Sequence, residues 1–200
     1  MAKEEATPKP VMIAMKGHPG TGKSTLANSL ASALKIPLID KDDIRDCTLP
    51  LHQSLPTASY SLLNDLSYHV IYQIASTQLR LGLSVVIDSP LSRPTHLHRL
   101  LQIASSAGAH LVIVECKPSD EAKWRERLER RGKSEGASWH KPATWQELEM
   151  LVQGYGGCTD YDVGDVPRMV VDTTAPVSVE ELVSRVVNFI VSRCGTCVGL

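Results

Sequence analysis

Gly17-His18-Pro19-Gly20-Thr21-Gly22-Lys23-Ser24 reads G-x-x-G-x-G-K-S, and its flanks on both sides decide the fold. In such a loop the glycines leave backbone N–H groups free to surround a phosphate. Lys23 sets an ammonium against the β- and γ-phosphates, and the Ser24 hydroxyl suits Mg²⁺. Upstream, Val11-Met12-Ile13-Ala14-Met15 is a short apolar run fit for a buried parallel strand. Downstream, Leu26, Leu30 and Leu34 return at every fourth residue with Ala27 and Ala31 beside them, as on one face of a helix. Strand, glycine loop and helix N-terminus come in the order a phosphate cradle requires, and the helix dipole adds attraction for the anion. Gly17 to Ser24, with His18, Pro19, Thr21 and the following Thr25, are the expected contacts of a nucleoside triphosphate.

The remaining chain alternates strand and helix. Ile36 to Asp40 reads as a second strand closed by acids, and Leu49 to Ala58, with two prolines and mixed polarity, as an irregular loop. A long helix follows with Leu62, Leu66, Val70 and Ile74 as its apolar positions, stopping near Gly82. Leu83 to Asp88 is a third strand, and Pro94 opens a helix striped by Leu97, Leu100, Leu101 and Ala104. His110 to Glu115 and Met169 to Asp172 are strands four and five. Ser178-Val179-Glu180-Glu181 is a capping box that starts the last helix. Alternation of this kind predicts a three-layer α/β fold, a parallel sheet covered by helices on both faces.

Two hundred residues, 42% hydrophobic and 22% charged, suit one such domain. The expected extent is 11–192, with a lid at about 120–143, between flexible segments at 1–10 and 193–200. A formal net charge of −1 gives no general affinity for nucleic acid. Neither a signal peptide nor an apolar run long enough to span a membrane is present, and five cysteines, an odd number, suit a reducing compartment. Cytosol is the expectation.

Beyond the loop, Asp40-Lys41-Asp42-Asp43-Ile44-Arg45 follows the carboxyl end of the second strand, where open parallel sheets bind ligands. A carboxylate there can take the proton of an attacking hydroxyl, and Arg45 can position a polar or anionic acceptor. The plainer role for Asp42 is a helix cap. Asp88, closing the third strand, is a candidate for Mg²⁺ or the acceptor, against satisfaction of turn amides. In Lys123-Trp124-Arg125-Glu126-Arg127-Leu128-Glu129-Arg130-Arg131-Gly132-Lys133, six cations face two acids. Lys123, Arg127, Arg130 and Arg131 fall to one side of a helix, with Trp124 and Leu128 toward the body. Arginines so placed can meet charge developing on a transferred phosphoryl group, although a solvated helix with internal Glu–Arg pairs would look the same. Gly132 and Gly136 make a plausible hinge, and Thr144-Trp145-Gln146-Glu147 is a second capping box.

The motifs GHPGTGKST, IDKDDIR and a strand-ending Asp88 followed by RLERRG together resemble the small P-loop kinases related to polynucleotide 5′-hydroxyl kinase and chloramphenicol phosphotransferase, within the adenylate-kinase-like group. The resemblance spans roughly Val11 to Val191, and its first motif is the specific one. It implies a five-stranded parallel sheet with the loop-bearing strand central, ATP as phosphate donor and a hydroxyl as acceptor. It also implies Asp42 as general base, Arg45 as the arginine of that element, Asp88 as the strand-three aspartate, and Arg127 and Arg131 as lid arginines. With Lys23 these make the catalytic set, and Ser24 with Asp88 the Mg²⁺ ligands. Asp88-Ser89-Pro90-Leu91 and the Leu49–Tyr60 region depart from the pattern, which leaves the acceptor open.

Rival classes fit less well. No N-K-x-D or D-x-x-G supports a GTPase. An AAA-type motor would end its third strand in Asp-Glu, where Asp88-Ser89 stands. A nucleotide-regulated binding protein with little turnover is the non-enzymatic alternative. A small-molecule or nucleoside-like hydroxyl is preferred over a polynucleotide, because one Phe leaves few stacking platforms. His96 and His98, two apart, cannot share a helix face and form no metal site. Cys194-Gly195-Thr196-Cys197 lacks a second ligand pair for a metal. Cys197-Val198-Gly199-Leu200 has the form of a prenylation box, with Gly199 out of pattern. Reversible membrane association follows only if Cys197 is lipidated, and an unmodified terminus is the favoured reading.

Overall fold

The computed structural model describes residues 8–54, 59–134, 138–156 and 159–195. Strand β1 (Val11–Lys16) leads through the glycine loop into helix α1 (Lys23–Leu34), then β2 (Leu38–Asp40), α2 (Lys41–Asp46), α3 (Leu49–Ser54) and α4 (Ser59–Arg80). Strand β3 (Val85–Asp88), α5 (Pro94–Ser106) and β4 (His110–Cys116) precede α6 (Glu121–Gly132) and α7 (Trp145–Gly154). Strand β5 (Arg168–Val171) and α8 (Val179–Cys194) complete the order. All strand pairings are parallel, in the order β2-β3-β1-β4-β5, so the loop-bearing strand is central as expected.

Strict alternation along the strands builds two cores. Val11, Ile13 and Met15 turn to one face with Val112 and Val114 and meet Leu26, Leu30, Val186 and Ile190 of α1 and α8. Met12 and Ala14 turn to the other face with Val85, Ile87 and Ile113 and meet Ile71, Leu79, Leu97 and Leu100 of α4 and α5. Burial on both faces explains why the strands read as continuous apolar runs.

Two expectations are corrected. Leu49–Ser54, read as a loop, is a short helix, because Pro50 lies in its first turn, where proline costs no intrahelical hydrogen bond. Helix α4 is present, but its buried face is not the one read from the leucines. Leu62, Leu66 and Ile74 are 65%, 43% and 37% exposed, whereas Leu63, Tyr68, Ile71, Tyr72, Ala75 and Leu79 form the inner face. Spacing of four advances about 40° per step around the helix, so Leu62 to Ile74 spirals away from the sheet, while the mixed three-and-four spacing stays on it. Ile71→Ala should therefore cost about 2–5 kcal/mol of unfolding free energy, while Leu62→Asn changes it by less than about 0.5 kcal/mol. Urea denaturation of the two variants checks the assignment.

Candidate active site

The loop is held from three sides. Gly17 N–H donates to the Pro90 carbonyl at 3.2 Å, and a Cβ at Gly17 would lie 2.7 Å from the Cys116 carbonyl oxygen, so no side chain fits there. The Thr173 hydroxyl donates to the Thr21 carbonyl at 2.6 Å. Gly22 takes φ 82° as the N-cap of α1 and offers no side-chain cap, which leaves the first amides of α1 available to an anion. Lys23, though buried, pairs with the buried carboxylate of Asp88. Burial alone would push the Lys23 ammonium toward neutrality, but Asp88, by charge and hydrogen bond, and then Asp42 and Asp40 raise its pKa. The second oxygen of Asp88, Oδ2, is buried without a hydrogen-bond partner.

Two clefts meet at this loop. One, of about 620 Å³, runs from Gly20, Gly22 and Thr25 past Arg127 and Arg130 to Thr173. The other, of about 340 Å³, lies between Asp42, Tyr60, Asn64, Tyr68, Arg93 and His96. Lys23, Ser24, Arg131 and Lys141 line both. A further hollow of about 650 Å³, between α5, residues 162–167 and the end of α8, touches none of the loop.

The sheet register sets Asp40 beside Asp88. Asp40 caps α2 by accepting from Asp42 N–H at 2.8 Å, so the capping role falls on Asp40 and leaves the Asp42 side chain free of it. Burial, then the charge of Asp88 and of Asp42, pushes the Asp40 carboxyl up to about 6. Asp42 goes the other way. Burial pushes it up, but Lys41, Lys141 and His140 outweigh burial and hold it at about 2. Lys41 Nζ lies 3.2 Å and Lys141 Nζ 2.8 Å from its carboxylate oxygens. His140, driven down to about 4 by burial, is neutral at pH 7.

Arg45 corrects an expectation. Its guanidinium is fully buried between the rings of Tyr60 and Trp139, 4.5 Å from each, and donates to Thr48 Oγ1 at 3.0 Å. Enclosed in this way it fastens α2 to its surroundings and is not among the residues that line either cleft. An arginine three residues after an acid reads alike in both settings, and only the distant rings distinguish them.

Helices α6 and α7 pack on each other through Leu128, Trp145 and Leu148. Trp124 Nε1 donates to the Pro19 carbonyl at 2.9 Å, so this unit rests on the loop itself. Arg127 donates to the Thr173 carbonyl at 2.9 Å and Arg131 to the Pro142 carbonyl at 3.0 Å; Arg127 lines the larger cleft and Arg131 both. Arg130 pairs with Glu126 at 3.5 Å on an exposed flank. At the expected hinge, Gly132 is in fact a close contact, since a Cβ there would lie 2.3 Å from the Ala143 carbonyl oxygen. Gly136 and the Cys197 tail lie outside the described residues.

A glycine loop between the central strand and the first helix, a strand-ending carboxylate on its lysine and an arginine-bearing helix over the cleft define a P-loop NTPase fold. The family model described as an AAA domain (AAA_33) matches residues 12–153, and the chain belongs to that family. This overturns the exclusion of the AAA name at the family level, although β3 still ends in Asp88-Ser89 without the paired acids of a motor. Among solved structures, the chain is similar to a Chloroflexus aurantiacus protein described as a kinase (24% identity, 93% of this chain and 98% of that one, TM-score 0.66). It is also similar to a gluconokinase from Sinorhizobium meliloti (19%, 94% and 95%, TM-score 0.59). A third likeness is to the Mycobacterium tuberculosis APS kinase in complex with AMPPNP and APS (17%, 92% and 98%, TM-score 0.56). At these identities the likeness establishes the fold. No curated protein sequence matches the chain significantly. Among the described residues no helix is long and apolar enough to cross a membrane.

Several residues at the site carry no local sequence signal. Lys141 and His140 reach Asp42 from almost one hundred positions away, and Thr173 is recognisable only as the step after strand five. His96 is half-buried, stacked on Tyr68 at 3.9 Å and bonded through Nδ1 to the Tyr72 hydroxyl at 2.9 Å. It lines the smaller cleft.

A pH test follows from Asp40. Its folded pKa of about 6 lies above the ordinary 3.8. Its contribution to stability is therefore complete below about pH 4 and is lost as pH rises through about 6. Asp40→Asn keeps the cap and removes the charge. In Mg²⁺-free buffer its melting temperature should match wild type near pH 4 and exceed it above pH 6, and melting curves over that range check it.

Proposed function

We propose that this protein is an ATP-dependent kinase that moves the γ-phosphoryl group to a hydroxyl of a small-molecule or nucleoside-like acceptor. The observation that carries this reading is the meeting of the two clefts at Lys23 and Ser24, with Asp42 lining the smaller of them. A donor in the larger cleft has its triphosphate against the loop. An acceptor in the 340 Å³ cavity, a volume suited to a small molecule, has its hydroxyl between Asp42 and the γ-phosphorus. The hydroxyl oxygen attacks phosphorus, its proton passes to the Asp42 carboxylate, and the bond to the bridging oxygen breaks. ADP leaves with that electron pair. Lys23, Arg127 and Arg131 face the charge that spreads over the phosphoryl oxygens. The buried, unpartnered Oδ2 of Asp88, whose other oxygen holds Lys23, is the kind of acceptor a metal or its water would satisfy. Ser24 and Asp88 would hold Mg²⁺, which when bound neutralises phosphate charge. Kinase neighbours of the same fold, one of them bound to AMPPNP, support the reading, and a cytosolic location with ready ATP suits it.

The test is ADP release from ATP and Mg²⁺ across a panel of hydroxyl compounds. Lys23→Ala should abolish acceptor-stimulated release, and unchanged release would remove the loop from the reaction. Asp42→Asn should lower turnover by on the order of 10²–10⁴-fold while nucleotide affinity shifts by no more than about fivefold. A fully active Asp42→Asn enzyme would move the base elsewhere. Arg127→Ala and Arg131→Ala should reduce turnover more than AMPPNP affinity, because the charge they meet develops in the transition state. Single-turnover rates beside equilibrium binding separate the two effects.

A further inference from the structure

Lys141 stands at the join of the two clefts and is the one member of the shared set that touches Asp42. Its ammonium lies 2.8 Å from Asp42 Oδ2, and its side chain is 24% exposed. The backbone that carries it is pinned on both sides. Ser138 Oγ donates to Asp46 at 2.6 Å. Trp139 stacks on His52 at 4.5 Å and takes the Arg45 guanidinium on its face. The Pro142 carbonyl accepts from Arg131. A lysine on a fixed backbone keeps a flexible four-carbon stem, so its head can change partner while the chain stays in place.

We propose that Lys141 is a positioning residue for the transfer step: it holds Asp42 while the donor cleft is empty and turns to the terminal phosphate when a nucleoside triphosphate enters, so that the carboxylate is released to the acceptor hydroxyl only when a donor is present. This rests on the kinase reading above. A triphosphate entering the cleft meets cations that already have partners. Lys23 is on Asp88, Arg127 on the Thr173 carbonyl, Arg130 on Glu126 and Arg131 on the Pro142 carbonyl. Lys141 differs from these in that its partner is Asp42 itself, and its flexible stem lets the ammonium exchange that carboxylate for an incoming phosphate, one anion for another. Loss of one of two close cations returns proton affinity to Asp42, which a base needs. Lys41, on the helix of Asp42 itself, is buried and also bonded to Asn64 Oδ1 at 3.3 Å, so it stays. The other groups around Asp42 are Lys23, Asp40, Asp46, Arg131, Tyr68 and neutral His140, none of which bridges both clefts in contact with its carboxylate.

The experiment is a double-mutant cycle on binding of Mg²⁺·AMPPNP, read by calorimetry. Asp42→Asn frees Lys141 in advance, so it should tighten AMPPNP binding by about two- to fivefold, the worth of one partly exposed ion pair. In a Lys141→Met background the same change should leave affinity untouched, and Lys141→Met alone should weaken binding. Lys141→Arg should restore the coupling, and melting curves confirm that each variant is folded. Equal tightening in both backgrounds would overturn the proposal, because it would report only the loss of a negative charge near the phosphates. No tightening in either background would also overturn it. A wild-type protein that binds no AMPPNP defeats the nucleotide reading itself and the proposal with it. In the wild type, saturating AMPPNP should make the ¹³C signal of the Asp42 carboxyl begin to titrate at higher pH than in the empty protein. An unmoved titration with nucleotide bound counts against the exchange of partners whatever the variants do.

Discussion

The buried pair of Lys23 and Asp88 is the constraint from which the site is built. A lone ammonium or carboxylate at this depth would be expensive, and breaking such a pair leaves an uncompensated charge at a cost of about 3–5 kcal/mol. The pair ties the first residue of α1 to the last residue of β3, across the loop between them. The register sets Asp40 beside Asp88, two carboxylates of which only Asp88 is bonded to the Lys23 ammonium. That imbalance raises Asp40. It also means that an incoming phosphate and the carboxylates compete for the same positive charge, and a second cation, on a metal or on the lid, has an electrostatic reason to be there.

What the sequence made legible follows from range. Strands β1, β3 and β4 and helices α1, α5 and α8 are set by local periodicity and by Gly22, Pro94 and Ser178 at their starts, and all are where the pattern puts them. The loop residues and Asp88 were readable because a strand, its end and the next turn are neighbours in the chain. The inner face of α4 was not, since two sets of apolar positions compete on that helix and only the packed tyrosines choose between them. Nor was the enclosure of Arg45, whose ring partners Tyr60 and Trp139 come from separate segments. Lys141 was invisible for the same reason: its relation to Asp42 exists only once the lid is folded down.

Helices α6 and α7 share an apolar centre of their own. Trp124 meets Trp145 edge to face at 5.0 Å, Leu128 is fully buried, and the end of α6 approaches Ala143 so closely that only glycine fits at position 132. This unit borders both clefts. Arg127, on one arm, touches the carbonyl after β5, and the segment 138–142 that leads into the other arm carries Lys141 over Asp42.

The two halves of the site are made of different material. On the donor side the contacts are set by backbone: an amide on the Pro90 carbonyl, carbonyls holding Trp124, Arg127 and the Thr173 hydroxyl, and a glycine that leaves no room for a Cβ. On the acceptor side they are side chains, Tyr60, Asn64, Tyr68, Arg93 and His96, from the separate elements α4 and α5. Substitution can rewrite the second half one residue at a time without refolding the first. On the proposed kinase reading the phosphate side is fixed and the recipient side adaptable, so divergence among relatives of this fold would be expected to concentrate in α4, the start of α5 and the segment that carries Lys141.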